Sequence, residues 1–134
     1  MENEIKLKGA DDYEQSRIEA LHALHILDTP LEPSFDRITA LTAELFDVPV
    51  STISLVDTHR IWLKSHFGLE INQLDRVAGF CATVIEQEHP RVLPDTTLDA
   101  IAATNPLVTG AGARFYAGCP LTTPSGFRIG SLSI

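Results

Sequence analysis

Cysteine is scarce. The 134-residue chain carries two, Cys81 and Cys119, with no C-x-x-C spacing. That argues against a disulfide framework or a cysteine zinc cluster, and a reducing cytoplasm is the expected compartment. Positive charge is also scarce: ten Lys and Arg face eighteen Asp and Glu, for a net charge of −8. A nucleic-acid surface needs clustered cations, so no nucleic-acid partner is expected. No apolar run approaches the ~20 residues of a membrane span, so no membrane association is expected. The opening stretch MENEIKLKGADD has no apolar core and does not read as a secretory signal. No glycine-rich phosphate cradle precedes a helix; Gly110-Ala111-Gly112 leads into a strand instead. Spacing alone supports neither a Ser-His-Asp set nor paired carboxylates.

What is present is one domain's worth of chain, 44% hydrophobic, enough to bury roughly 65–70% of its unfolded surface. Residues 1–12 are polar and expected to fray. Ile18, Leu21 and Leu24 predict a first helix over Tyr13–Leu27, opened by an Asp12/Gln15 capping pair and ended by Asp28-Thr29-Pro30. Pro33 opens a second helix, with Phe35, Ile38, Leu41 and Leu45 at helical spacing up to Phe46. Val50–Val56 and Ile61–Phe67 predict a hairpin about Asp57–Arg60. Gly68–Ala78 reads as loop, Phe80–Glu88 as a short helix and Arg91–Leu93 as a strand. Thr96–Gly112 is a long excursion broken at Pro106, Gly110 and Gly112, with one helical turn near Leu98–Ala103. A second hairpin spans Arg114–Ile134, turning at Pro124-Ser125-Gly126. Gly118 and Gly130 leave gaps in it for a neighbouring element or a ligand. Helices followed by hairpins predict an α+β fold with a central antiparallel sheet of five to six strands.

Candidate site residues follow from strand alternation. Trp62, Lys64 and His66 share one face of their strand, either as a pocket floor for a planar or anionic ligand or as a solvated face. Arg114 and Tyr116 occupy the matching face of the terminal hairpin; a one-residue slip would bring Phe115 and Cys119 there. Cys81 and Cys119 read either as a redox pair or as small buried hydrophobes. Asp57 reads as a turn former. His22 and His25 lack a third ligand and read as surface residues.

Three stretches, ILDTPLEPSFDRIT, VPVSTISLVDTHRIWLKSHFGL and NPLVTGAGARFYAGCPLTTPSGFRIGSLSI, resemble the N-terminal GAF domains of bacterial sensor histidine kinases and diguanylate cyclases. The similarity covers Tyr13 to Ile134. It implies a helical layer on one face of the sheet and a small-molecule pocket on the other, roofed by the Phe80 helix and the excursion. It also implies a non-catalytic sensory module that relays its state to an output kinase or cyclase domain; the first helix, Tyr13–Leu27, is the expected relay, and its two apolar edges add an expected helical homodimer. With the strand faces read above, the expected ligand-binding residues are Trp62, Lys64, Phe80, Cys81, Phe115 and Tyr116. Departures narrow the reading. Bilin-binding relatives use a Cys-His pair, which is absent, so no covalent bilin cofactor is expected. The family's Ser-Phe-Cys-x-His pattern appears as Gly79-Phe80-Cys81-Ala82-Thr83. The motif of cyclic-nucleotide GAF domains is missing, and the C-terminal helix of the family is expected to be lacking after Ile134. Two alternatives stand beside the sensory reading. One is a thiol-based redox sensor, or an enzyme like the free-methionine sulfoxide reductases, using Cys81 and Cys119. The other is a degenerate GAF domain that only dimerises, its pocket plugged by Trp62, Phe80 and Phe115.

Overall fold

A computed structural model describes residues 2–76, 79–99, 102–104, 106–109 and 113–134. The order is α1 (Glu2–Ala23), α2 (Pro33–Phe46), β1 (Ser51–Val56), β2 (Arg60–Phe67), β3 (Gln73–Asp75), α3 (Cys81–Val84), β4 (Arg91–Leu93), α4 (Pro106–Thr109), β5 (Tyr116–Thr122) and β6 (Arg128–Ser133). The strands form one six-stranded antiparallel sheet in the order β3-β2-β1-β6-β5-β4. Both hairpins are therefore present, and β6 is a central strand.

α1 begins at Glu2 rather than Tyr13, so the segment expected to fray is helical and Asp12 caps nothing. It ends at Ala23 because His25 (φ 51°) and Asp28 (φ 60°) turn left-handed, a conformation that stops a helix. α2 matches its expected span. Pro33 sits in its first turn, and left-handed Asp47 closes its end on the Ala43 and Glu44 carbonyls. Its apolar stripe, however, points outward: Ile38, Leu41 and Leu45 are exposed, while Thr39 and Ala43 are buried. The ground beneath α2 is polar, which is why small and hydroxylated residues face it. Ser65 donates to Asp36 at 2.6 Å and lies 2.9 Å from the Thr39 hydroxyl.

Where Gly68–Ala78 was expected to be loop, Gln73–Asp75 adds an edge strand to β2. The Phe80–Glu88 helix shortens to Cys81–Val84. The excursion holds short 3₁₀ turns at Thr96–Leu98 and Ala102–Thr104, then α4. The breakers Gly110 and Gly112 lie outside the described residues.

α1 and α2 cover one face of the sheet. On that side Leu21, Leu55, Trp62 and Ile129 pack together. α3 covers part of the other face, where Phe80, Val84, Leu93, Ala102, Val108 and Tyr116 form a second cluster. The two gaps in the terminal hairpin are already taken. A Cβ on Gly130 would fall 1.9 Å from the Ser54 carbonyl oxygen, and one on Gly118 would fall 2.6 Å from the Tyr116 hydroxyl.

Candidate ligand cavity

A β-bulge decides which side chains meet the cavity. Ile53 pairs with Ser65 but Ser54 pairs with Leu63, so Lys64 is the extra residue on β2. Before the bulge, Ile61 and Leu63 face the side away from α1 and α2, and Trp62 faces the helices. At the bulge Lys64 and Ser65 both turn toward the helices. After it the alternation is inverted, and His66 stands opposite Thr52 on the side away from them. The expected common face of Trp62, Lys64 and His66 does not exist.

On that side lies a cavity of about 550 Å³, within the size range of small-molecule sites. Its walls include Leu63, Leu69, Ile71, Leu74, Phe80 and Phe115. Its floor is polar but uncharged. Tyr116 Oη lies 2.7 Å from Ser133 Oγ, which lies 2.8 Å from Ser131 Oγ, which lies 3.3 Å from Ser54 Oγ. Ser54 donates onward to Cys81 Sγ at 2.9 Å. Burial, and then the neighbouring Cys81, push the Tyr116 hydroxyl well above the usual tyrosine range. It therefore stays protonated, able to donate and to accept.

Four of the six expected site residues meet here: Phe80, Cys81, Phe115 and Tyr116 all line the cavity. The other two do not. Trp62 packs against Leu21 on the helix side and borders a separate hollow of about 370 Å³ beside Thr29, Leu31 and Asn72. Lys64 is fully buried; its Nζ bonds to Glu32 (2.6 Å), the Pro30 carbonyl (2.7 Å) and Thr29 (2.8 Å), and sits 5.4 Å from the Phe35 ring centroid. It clamps the α1–α2 connection to the sheet. Strand alternation placed both on the wrong side because it selected one face without knowing which face the helices take. The residues it missed are Thr52, Ser54 and Ser133. Their signal was present as hydroxyls at alternate positions in two otherwise apolar strands.

Cys119 pairs with Leu132 on β6 and projects to the side of Leu121, which packs on the helix-side cluster. Cys81 lies on the cavity side. The sheet separates the two thiols, and a disulfide between them is excluded without backbone rearrangement. Cys119 is also exposed rather than buried. Asp57 acts as the expected turn former, accepting from the Thr58 N–H at 2.9 Å, and also pairs with His22 at 2.9 Å and Arg60 at 3.3 Å. Among the described residues no group of three His, Cys, Asp or Glu could hold a metal ion, and no helix is long and apolar enough to cross a membrane.

An antiparallel sheet backed by helices, with a cavity on its other face, defines the class of α+β domain to which the chain is assigned. The GAF domain family model matches residues 30–134, and the chain belongs to that family. It is 36% identical over 122 residues to a cyclic di-GMP phosphodiesterase of Pseudomonas aeruginosa, a match covering 90% of this chain and 21% of the relative. The chain thus spans about a fifth of that protein's length. The GAF domain of a phosphoenolpyruvate-protein phosphotransferase from Coxiella burnetii shares the fold, with a TM-score of 0.62, 17% identity, and coverage of 90% of this chain and 76% of that one. So does the free methionine-R-sulfoxide reductase of Neisseria meningitidis, with a TM-score of 0.60, 18% identity, and coverage of 90% and 71%.

Proposed function

We propose that this domain is a non-catalytic sensory module. It binds a small molecule in the cavity between the sheet and α3 and relays occupancy through the helical layer to an output domain. The observation carrying this reading is the cavity of about 550 Å³, open rather than plugged, with apolar walls and a hydroxyl floor. Trp62 lies across the sheet from it, so the plug of Trp62, Phe80 and Phe115 that would mark a purely dimerising domain does not form. A route to the helices supports the relay. Arg128 donates to the Ile85 carbonyl at the end of α3 (2.6 Å), while its own N–H donates to the Tyr13 hydroxyl on α1 (3.2 Å). The relative's name points to cyclic di-GMP turnover as the output. The sulfoxide-reductase alternative draws on fold likeness only, and the separation of Cys81 from Cys119 removes its two-thiol form.

A second copy of the chain docks on the exposed Ile38-Leu41-Leu45 stripe of α2. Arg37 and Glu44 flank that stripe on one side, and an antiparallel pairing of two α2 helices sets each Arg37 beside the partner helix's glutamate.

A broad metabolite panel read by thermal unfolding, with native mass spectrometry of protein purified without additives, tests the sensory reading. At least one compound should raise the midpoint in proportion to the logarithm of its concentration. A panel without a single stabilising compound, together with an unliganded mass, would overturn it.

A further inference from the structure

The chemistry of the cavity narrows the class of guest, an inference that rests on the sensory reading above. Register places Gly118, Ser133, Thr52 and His66 side by side across β5, β6, β1 and β2, all on the cavity side. The hydroxyls of Ser131, Ser133, Ser54 and Tyr116 are engaged with one another. The two other polar groups in the row are not engaged. Thr52 lines the cavity and makes no side-chain hydrogen bond among the described residues. His66, next to Thr52 on β2 but behind the residues that line the cavity, has a buried Nε2 with no partner among them. A buried polar atom without a partner costs about 1–3 kcal/mol, so such an atom marks a place where a hydrogen-bonding group belongs.

Charge is missing from the same space. Among the described residues the single charged side chain lining the cavity is Arg114, which is exposed and donates to the Val108 carbonyl at 2.8 Å. A phosphate or carboxylate entering here would leave water and find no buried cation in exchange. We infer that the cavity takes an uncharged, largely apolar molecule bearing one hydroxyl, carbonyl or amide group, and that the unengaged Thr52 hydroxyl in the cavity lining meets that group. The threonine hydroxyl donates or accepts, so it accommodates any of the three. Phosphorylated nucleotides fall outside this class.

Three probes of one ring system test the inference on the full chain by titration calorimetry: 1-naphthol, naphthalene and 1-naphthyl phosphate. The naphthol should bind about tenfold or more tighter than the phosphate, and several-fold tighter than naphthalene. Thr52→Val keeps the shape and removes the hydroxyl. It should erase the advantage of naphthol over naphthalene and leave naphthalene binding unchanged. Leu69→Trp, placed in the cavity wall, should weaken all three. Phosphate binding as tight as naphthol binding, and lost in Leu69→Trp, would overturn the uncharged class while leaving the sensory reading intact. Naphthol binding that survives Leu69→Trp, or a preference for naphthol that survives Thr52→Val, would overturn the assigned contact. Failure of all three probes would overturn the inference, and the metabolite panel then decides separately whether the sensory reading falls with it.

Discussion

The two faces of the sheet solve the problem of buried polarity in opposite ways. The helix side is filled and bolted by cations. Arg17, 1% exposed, reaches the Val56 carbonyl at 2.7 Å and the Arg128 carbonyl at 3.4 Å, and pairs with Glu14. Lys64 does the same for the α1–α2 connection. The cavity side is left open, its floor made of neutral hydroxyls and one thiol. A buried charge held at several points has one good geometry and fixes an element in place. A chain of hydroxyls re-forms when a guest arrives, because each member donates and accepts.

Substitutions on the two faces break this comparison if their costs come out equal. Arg17→Ala should cost the most, about 3 kcal/mol, because it strands two backbone carbonyls and part of Glu14. Lys64→Met keeps the volume of the stem and should cost about 2 kcal/mol through the Pro30 carbonyl and the Glu32 pair. Ser133→Ala on the cavity floor should cost about 1 kcal/mol or less, since Tyr116 and Ser131 have other hydroxyls or the thiol within reach. Urea midpoints at constant slope measure all three. A Ser133→Ala variant as destabilised as Arg17→Ala would show the cavity face to be as tightly bound as the other.

Acid sharpens the same contrast. Glu14 titrates at about 2 rather than its ordinary 4.5, held down first by the Arg17 hydrogen bond, against the opposing effect of its partial burial, and then by Arg76. A lowered carboxylate pKa stabilises the fold above 4.5, and that contribution disappears as pH falls from 4.5 toward 2. Glu14→Gln should therefore flatten the urea midpoint against pH in that interval. An unchanged slope would mean the ion cluster on α1 does not hold the helix down. The smallest expected effect concerns association: Leu41→Glu should lower the mass seen by light scattering if the α2 stripe is a dimer face, and leave the urea midpoint near that of the parent chain.

Much of the fold was legible. α2 showed in its Pro33 start and apolar spacing, and the two hairpins in their β-branched runs and turn residues. β3 was not legible, because Gln73-Leu74-Asp75 is too short for a period and becomes a strand only by pairing with β2. The cavity was half legible. Phe80, Cys81, Phe115 and Tyr116 stand in it, but Trp62 and Lys64 do not. Alternation put Trp62 and Lys64 on one face but could not say that the helices cover it, and the bulge at Lys64 then turned His66 to the other face.

The sequence by itself determined the family and most of the element types, because local spacing and turn chemistry act within a few residues of one another. It also set the supply of charge, with cations too few and too dispersed for a nucleic-acid surface. Only the tertiary structure decided which face of the sheet the helices cover, on which side of it each thiol falls, and that Thr52 and His66 stand next to each other with polar atoms unengaged. Those outcomes depend on how strands pair and on what packs against them, and one extra residue in a pairing reverses the direction of every side chain beyond it.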